Sequence, residues 1–194
     1  MTGIDPQHLQ AADCPALRAA HAHSTRLLTA METRFAAQAG RLEGVVTVAV
    51  GGSLGRLEAS ADSDIDCIVV VDDAVEEGDA RDLMRTVQAH LAESSLKLPK
   101  ADGIYRAPIA PRALLAPSGL GSLEEHPAVF GKRLQLLLDA RPVYGHAGCV
   151  SLQRAVLDWY ASDFIAARAT RGWTLLMNDL MRYLHAYAGW QQFK

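Results

Sequence analysis

Hydrophobic positions change period along the chain, and each change marks an element. Over residues 15–40, Leu17, Ala20, Leu27, Leu28, Met31 and Phe35 recur at helical spacing, which predicts a helix stopped at Gly40. The pattern then becomes VVTVAV, Val45 to Val50. This β-branched run between Gly44 and Gly51 predicts a buried strand. SLGRLEAS predicts a short helix with Ser53 near its start. DIDCIVVV predicts a second strand, partly alternating and then wholly apolar. From Val75 to Ser94, the residues Ala80, Leu83, Met84, Val87 and Leu91 fall on one helical stripe. Glu76, Glu77 and Asp79 crowd its N-terminal end, where the helix dipole favours them.

Beyond Ser94 the pattern is less regular. A short third strand is expected near Gly103 to Ala107. Pro108, Pro111 and Pro117, with Gly119 and Gly121, mark a loop-rich connector over 108–122. Residues 128–139 read as helical, and RPVYG as a short extended piece ending at Gly145. From about Ser151 helical spacing returns, with a break at Gly172. Leu152, Val156, Tyr160, Phe164 and Ala167 form one stripe; Trp173, Leu176, Leu180, Leu184 and Tyr187 form another. There is no internal repeat. The order predicts a small sheet covered by helices, followed by a helical segment.

Composition narrows the functional classes. The 194 residues are 49% hydrophobic and 21% charged, ordinary for a folded soluble chain, and the length suits one globular domain or one domain with a helical appendage. A net charge of −3 and a pI near 6.1 argue against a broad nucleic-acid or membrane surface, so neither nucleic acid nor membrane is expected as a partner. Cys14, Cys67 and Cys149 are odd in number and widely spaced, with no Cys-x-x-Cys pair. This predicts a reducing, cytoplasmic setting and no structural zinc. No signal peptide and no apolar run of membrane-spanning length is visible.

The chemistry concentrates in GGSLGRLEASADSDIDCIVVVDD, Gly51 to Asp73. In an extended chain Asp64 and Asp66 point the same way, and two carboxylates so close repel unless a cation joins them. Magnesium suits them: it takes oxygen ligands, often one or two carboxylates plus substrate phosphates, and supports in-line phosphoryl or nucleotidyl transfer. The Gly51-Gly52-Ser53 turn supplies close backbone N–H approach and a hydroxyl for phosphate. Arg56, one turn on, can reach a phosphate or hold Glu58. An Asp-x-Asp pair alone is most often a solvated strand end. The upstream Gly-Ser turn between two strands is what gives it meaning. Ser63 reads equally as a turn cap, and Cys67 as a core residue.

Gly52-Ser53, Arg56, Glu58 and Ser63-Asp64-Ile65-Asp66 together resemble the signature of the polymerase-β-like nucleotidyltransferase superfamily. They are most similar to the branch containing the protein-PII uridylyltransferases and related nucleotidyltransferases. Two later segments are similar to that branch: Asp139-Ala140-Arg141-Pro142-Val143-Tyr144-Gly145, and Trp173, Leu176, Asn178-Asp179, Arg182 and Tyr183. The resemblance implies an α/β (α+β) fold with a small mixed sheet of the nucleotidyltransferase type, flanked by helices and followed by a C-terminal helical segment. Residues 1–44 would form an N-terminal helical segment, 45–147 the catalytic domain, and 148–194 the C-terminal segment, which stops at Trp190–Lys194 as a truncated piece would.

The resemblance also implies NMP transfer from an NTP, ATP included, to an acceptor hydroxyl on a protein or small molecule, with pyrophosphate released. One or two magnesium ions would be held by Asp64 and Asp66. Gly51, Gly52, Ser53 and Arg56 would bind the nucleotide, with Asn178 and Arg182 at the cleft edge. Asp102, just before the expected third strand, stands as the third carboxylate, ahead of Glu124 and Glu125. Lys97, Lys100 and Arg106 are solvated charges or cations facing the triphosphate. The alternative is a nucleotide-binding or regulatory module of the same fold with weak or no turnover, and a toxin–antitoxin-type nucleotidyltransferase stands third. The base, the acceptor and the oligomeric state are not legible.

Overall fold

A computed structural model of the protein describes residues 14–94, 96–99, 103–166 and 171–189, with side chains for all of these except 162–166, 171–173 and 186–189. The element order is α1 (Pro15–Ala37), β1 (Val45–Gly51), α2 (Gly52–Gly55), β2 (Asp66–Val71), α3 (Glu77–Ala92), α4 (Pro111–Leu114), α5 (Pro127–Leu138), β3 (Arg141–Tyr144), α6 (His146–Ala166) and α7 (Arg171–Gly189). The α/β architecture matches the expectation from sequence.

The sheet has the order β2-β1-β3, and β1 runs antiparallel to both neighbours. Among the described residues, parallel pairing occurs at two isolated bridges, Asp64 with Lys97 and Val70 with Ile109. The third strand is the RPVY piece, not Gly103–Ala107, which forms a turn closed by the Arg106 N–H on the Gly103 carbonyl at 3.2 Å. The physical reason lies in the flanks of Ile109. It exchanges bonds with Val69 and Val71 on the outer edge of β2. Pro108 and Pro111 lack the N–H groups needed to extend that pairing.

Alternation along β1 and β2 divides the core in two. Val48, Val50, Ile65, Cys67, Val69 and Val71 face α1 and α3, which contribute Leu28, Met31 and Phe35, and Ala80, Met84, Val87 and Leu91. Ala49, Ile68 and Val70 face the other way, toward Tyr105, Ile109, Leu114, Leu136 of α5, and Cys149 and Leu152 of α6. Both strands are buried on both faces, which is why they read as apolar runs. Burying each Val, Leu, Ile, Met or Phe side chain among them stabilises the fold by roughly 1.5–3 kcal/mol.

Two stripes differ from expectation. Leu17 is half exposed, because the buried face of α1 begins only at Ser24. On α7 the apolar side chains of Met177, Met181 and Leu184 are exposed, while Asp179 and Tyr183 are buried and Leu180 is partly so. Polar contacts to α5 and α6, described below, turn that helix away from its apolar stripe. Trp173, Tyr187, Phe164 and Ala167 lie outside the described side chains.

Candidate active site

The C-terminal end of β1 meets the N-terminal end of β2, with Gly51 directly opposite Asp66. Antiparallel register therefore brings the two halves of the Gly51–Asp73 stretch together. At Gly52 the backbone turns into α2 with φ of +61°, the left-handed region that favours glycine. A Cβ at Gly52 would overlap Oδ2 of Asp66, so the carboxylate lies in the space that the missing side chain leaves. Asp66 is buried and Asp64 is half-buried. By alternation both project on the Ile68 side of the sheet, while Ile65 and Cys67 pack on the opposite side.

Two hard oxygen donors, one sunk against a glycine and one nearer solvent, fit the donor chemistry of magnesium. Among the described residues, no group of three or more His, Cys, Asp or Glu gathers as a metal site. Asp102, and with it Lys100, lies outside the described residues. Glu124 is exposed, and Glu125 pairs with Arg133.

Ser53 is half-buried, and its carbonyl accepts the Glu58 N–H at 2.7 Å, folding the chain back after α2. Arg56 uses Nε for Glu58 Oε2 at 2.9 Å and Nη1 for Asp139 Oδ2 at 2.7 Å. Ser63 caps the turn before β2: its Oγ accepts the Ser60 N–H at 3.0 Å. Lys97 reaches Asp62 at 3.8 Å, and Arg106 is exposed.

Four further residues surround this end of the sheet. Gln135 of α5 presses its amide on Gly51, where a Cβ would overlap it. Tyr105 lies close enough to Asp66 that burial, and then the Asp66 charge, push its phenol well above the ordinary value. Lys132 of α5 is buried and donates to the Ala107 carbonyl at 2.6 Å. Burial lowers its pKa to about 8. Asp139 opens β3. Cys67 is inert: burial pushes its thiol up to about 12. The one sequence signal for the α5 residues was the polar triplet Lys132, Arg133 and Gln135 inside the apolar run VFGKRLQLLL. Periodicity alone assigns such residues to solvent.

Asn178 is exposed on α7. Arg182 donates to the Ser122 and Leu123 carbonyls at 3.0 and 3.2 Å, and its guanidinium sits 4.3 Å from the centre of the Phe130 ring. Asp179 belongs to a buried network. Its Oδ2 accepts from the Tyr160 hydroxyl at 2.6 Å, and Arg133, fully buried, forks onto Glu125 and stacks 4.3 Å from the Trp159 ring centre. Burial raises the Asp179 carboxyl above its ordinary value. Burial also works against the Arg133 charge, but its bonds to Glu125 and Tyr160 outweigh it, and the net shift is upward.

Residues 32–126, just under half of the chain, match the family model of the nucleotidyltransferase domain. That span holds the Gly51–Ser53 turn and both aspartates, and supports the superfamily resemblance and nucleotidyl transfer in general. No curated protein and no solved structure matches the chain. No described helix is long and apolar enough to cross a membrane.

Proposed function

We propose that this protein is a magnesium-dependent nucleotidyltransferase that moves an NMP from an NTP to an acceptor hydroxyl on a protein or small molecule, releasing pyrophosphate. The observation that carries the reading is the seating of Asp66 against Gly52, with Gly51 as its cross-strand partner. It joins an anion-accepting turn to a carboxylate pair. Asp64 and Asp66 would hold magnesium, which when bound neutralises charge on the phosphate oxygens. The Gly51–Gly52 backbone and the Ser53 hydroxyl bind the β- and γ-phosphates and orient the α-phosphate for in-line attack. Asp102 is the residue we assign to the acceptor proton. The Asp139–Gly145 and Trp173–Tyr183 segments favour the uridylyltransferase branch.

The test is pyrophosphate release from each NTP with magnesium and candidate acceptors. Release that is abolished by Asp64→Asn with Asp66→Asn supports the reading. No release with any NTP, or release indifferent to the double substitution, removes it. Tight magnesium-dependent NTP binding without transfer would replace it with a nucleotide-binding module.

A further inference from the structure

The Gly51–Arg56 turn is short, and α2 is only four residues long. Its shape therefore depends on what surrounds it. One continuous stretch, from the last turn of α5 into β3, touches the turn at three of its six residues. Gln135 packs its amide on Gly51, with room for no side chain there. The Asp139 carbonyl and the Val50 carbonyl fill the place a Cβ would take at Gly55. The Asp139 carboxylate holds Arg56 Nη1 at 2.7 Å, and Arg141 Nε donates to the Gly55 carbonyl at 2.5 Å. These contacts join residues more than 80 positions apart. The antiparallel register of β1 with β3, which sets Val50 opposite Arg141, delivers them.

We propose that Gln135, Asp139 and Arg141 form a clasp that holds the phosphate-binding turn in its binding shape, with Asp139 as the principal positioning residue. The inference rests on the proposed nucleotidyltransferase reading for its consequence, but not for its geometry. The clasp lies beyond residue 126, where the match to the nucleotidyltransferase domain ends. The donor site of this chain is thus completed by its C-terminal half. Arg56 is a strut between Glu58 and Asp139, and it presents its guanidinium to phosphate only from that fixed position.

The experiment compares wild type with Asp139→Ala, Asp139→Glu and the exchange Arg56→Asp with Asp139→Arg. The readouts are hydrogen exchange at amides 52–57, calorimetric affinity for a non-hydrolysable NTP with magnesium, and thermal unfolding. Asp139→Ala should speed exchange at 52–57 selectively and weaken NTP binding about tenfold, the effect of losing one partly exposed charge-assisted bond. Asp139→Glu should recover part of both, and the charge exchange should recover exchange protection alone, because Arg56→Asp removes the guanidinium from the phosphate. The clasp is overturned if Asp139→Ala leaves exchange and affinity as in wild type. It is also overturned if exchange rises uniformly along the chain, or if neither compensating variant recovers anything. Should wild type itself bind no NTP, the proposed function fails, and the exchange pattern still decides the clasp.

Discussion

Gly52→Ala probes the candidate site at its tightest point. The perturbation adds one carbon. It meets two costs, both visible in the structure: a left-handed φ of +61°, and overlap with Asp66 Oδ2. The backbone cost is roughly 1–2 kcal/mol for an L-residue in that region. The overlap forces a buried carboxylate to move, adding about 1–3 kcal/mol, the range for disturbing a buried polar group. A total of about 2–5 kcal/mol is a large part of the roughly 5–15 kcal/mol that holds a domain folded. Urea unfolding followed by circular dichroism would show a lower midpoint with an unchanged slope. Nucleotide binding in the fraction still folded should fall by more than tenfold, because the same carbon separates Asp66 from the turn. Gly78→Ala is the control. Nothing lies within 4 Å of its added carbon, and it sits in the first turn of α3, so it should stabilise by up to about 1 kcal/mol. The reasoning is refuted if Gly52→Ala unfolds within about 0.5 kcal/mol of wild type, the ordinary range of surface substitutions, and still binds NTP with magnesium.

Other consequences follow from the buried polar groups of α5. The Lys132 pKa of about 8 in the fold lies below its ordinary 10.5, so the native state gives up this proton before the unfolded chain does. The cost of burying the ammonium is therefore fully present below about pH 8 and fades as pH rises toward 10.5. Relative to Lys132→Met, wild type should gain stability on the order of 3 kcal/mol across that window, measured by urea unfolding at a series of pH values; a flat difference would contradict it. Arg133→Met leaves the buried Glu125 and Asp179 carboxylates without their cation and should cost about 3–5 kcal/mol. Adding Glu125→Gln should recover a measurable part of that loss, and no recovery would place the cost in packing instead.

The Gly-Ser turn and the Asp-x-Asp pair were legible because each is a local pattern. The turn needs glycine for backbone reasons, and the aspartates share a face because the strand period is two. The strands Val45–Gly51 and Asp66–Val71 were legible for the same reason, since burial on both faces leaves an unbroken apolar run. The Ala80–Leu91 stripe of α3 packs where its period predicts.

Tertiary structure decided what no period carries. The weakly patterned RPVY piece became the third strand because β1 had a free edge for it, and the prolines around Ile109 limited the rival segment to one bridge. Lys132, Arg133 and Gln135 are long polar side chains inside the apolar run of α5, and all are buried. Residues far along the chain close over them: Tyr160 and Asp179 around Arg133, Gly51 against Gln135. The face of α7 turned toward Asp179 and Tyr183 to meet that network. By itself, then, the sequence determined the Gly-Ser and Asp-x-Asp motif and the strands that carry it, since short-range sterics and alternation act within a few residues. The tertiary structure alone decided how that motif is held, because Asp139 and Arg141 reach Arg56 and Gly55 only when strand pairing brings opposite ends of the domain together.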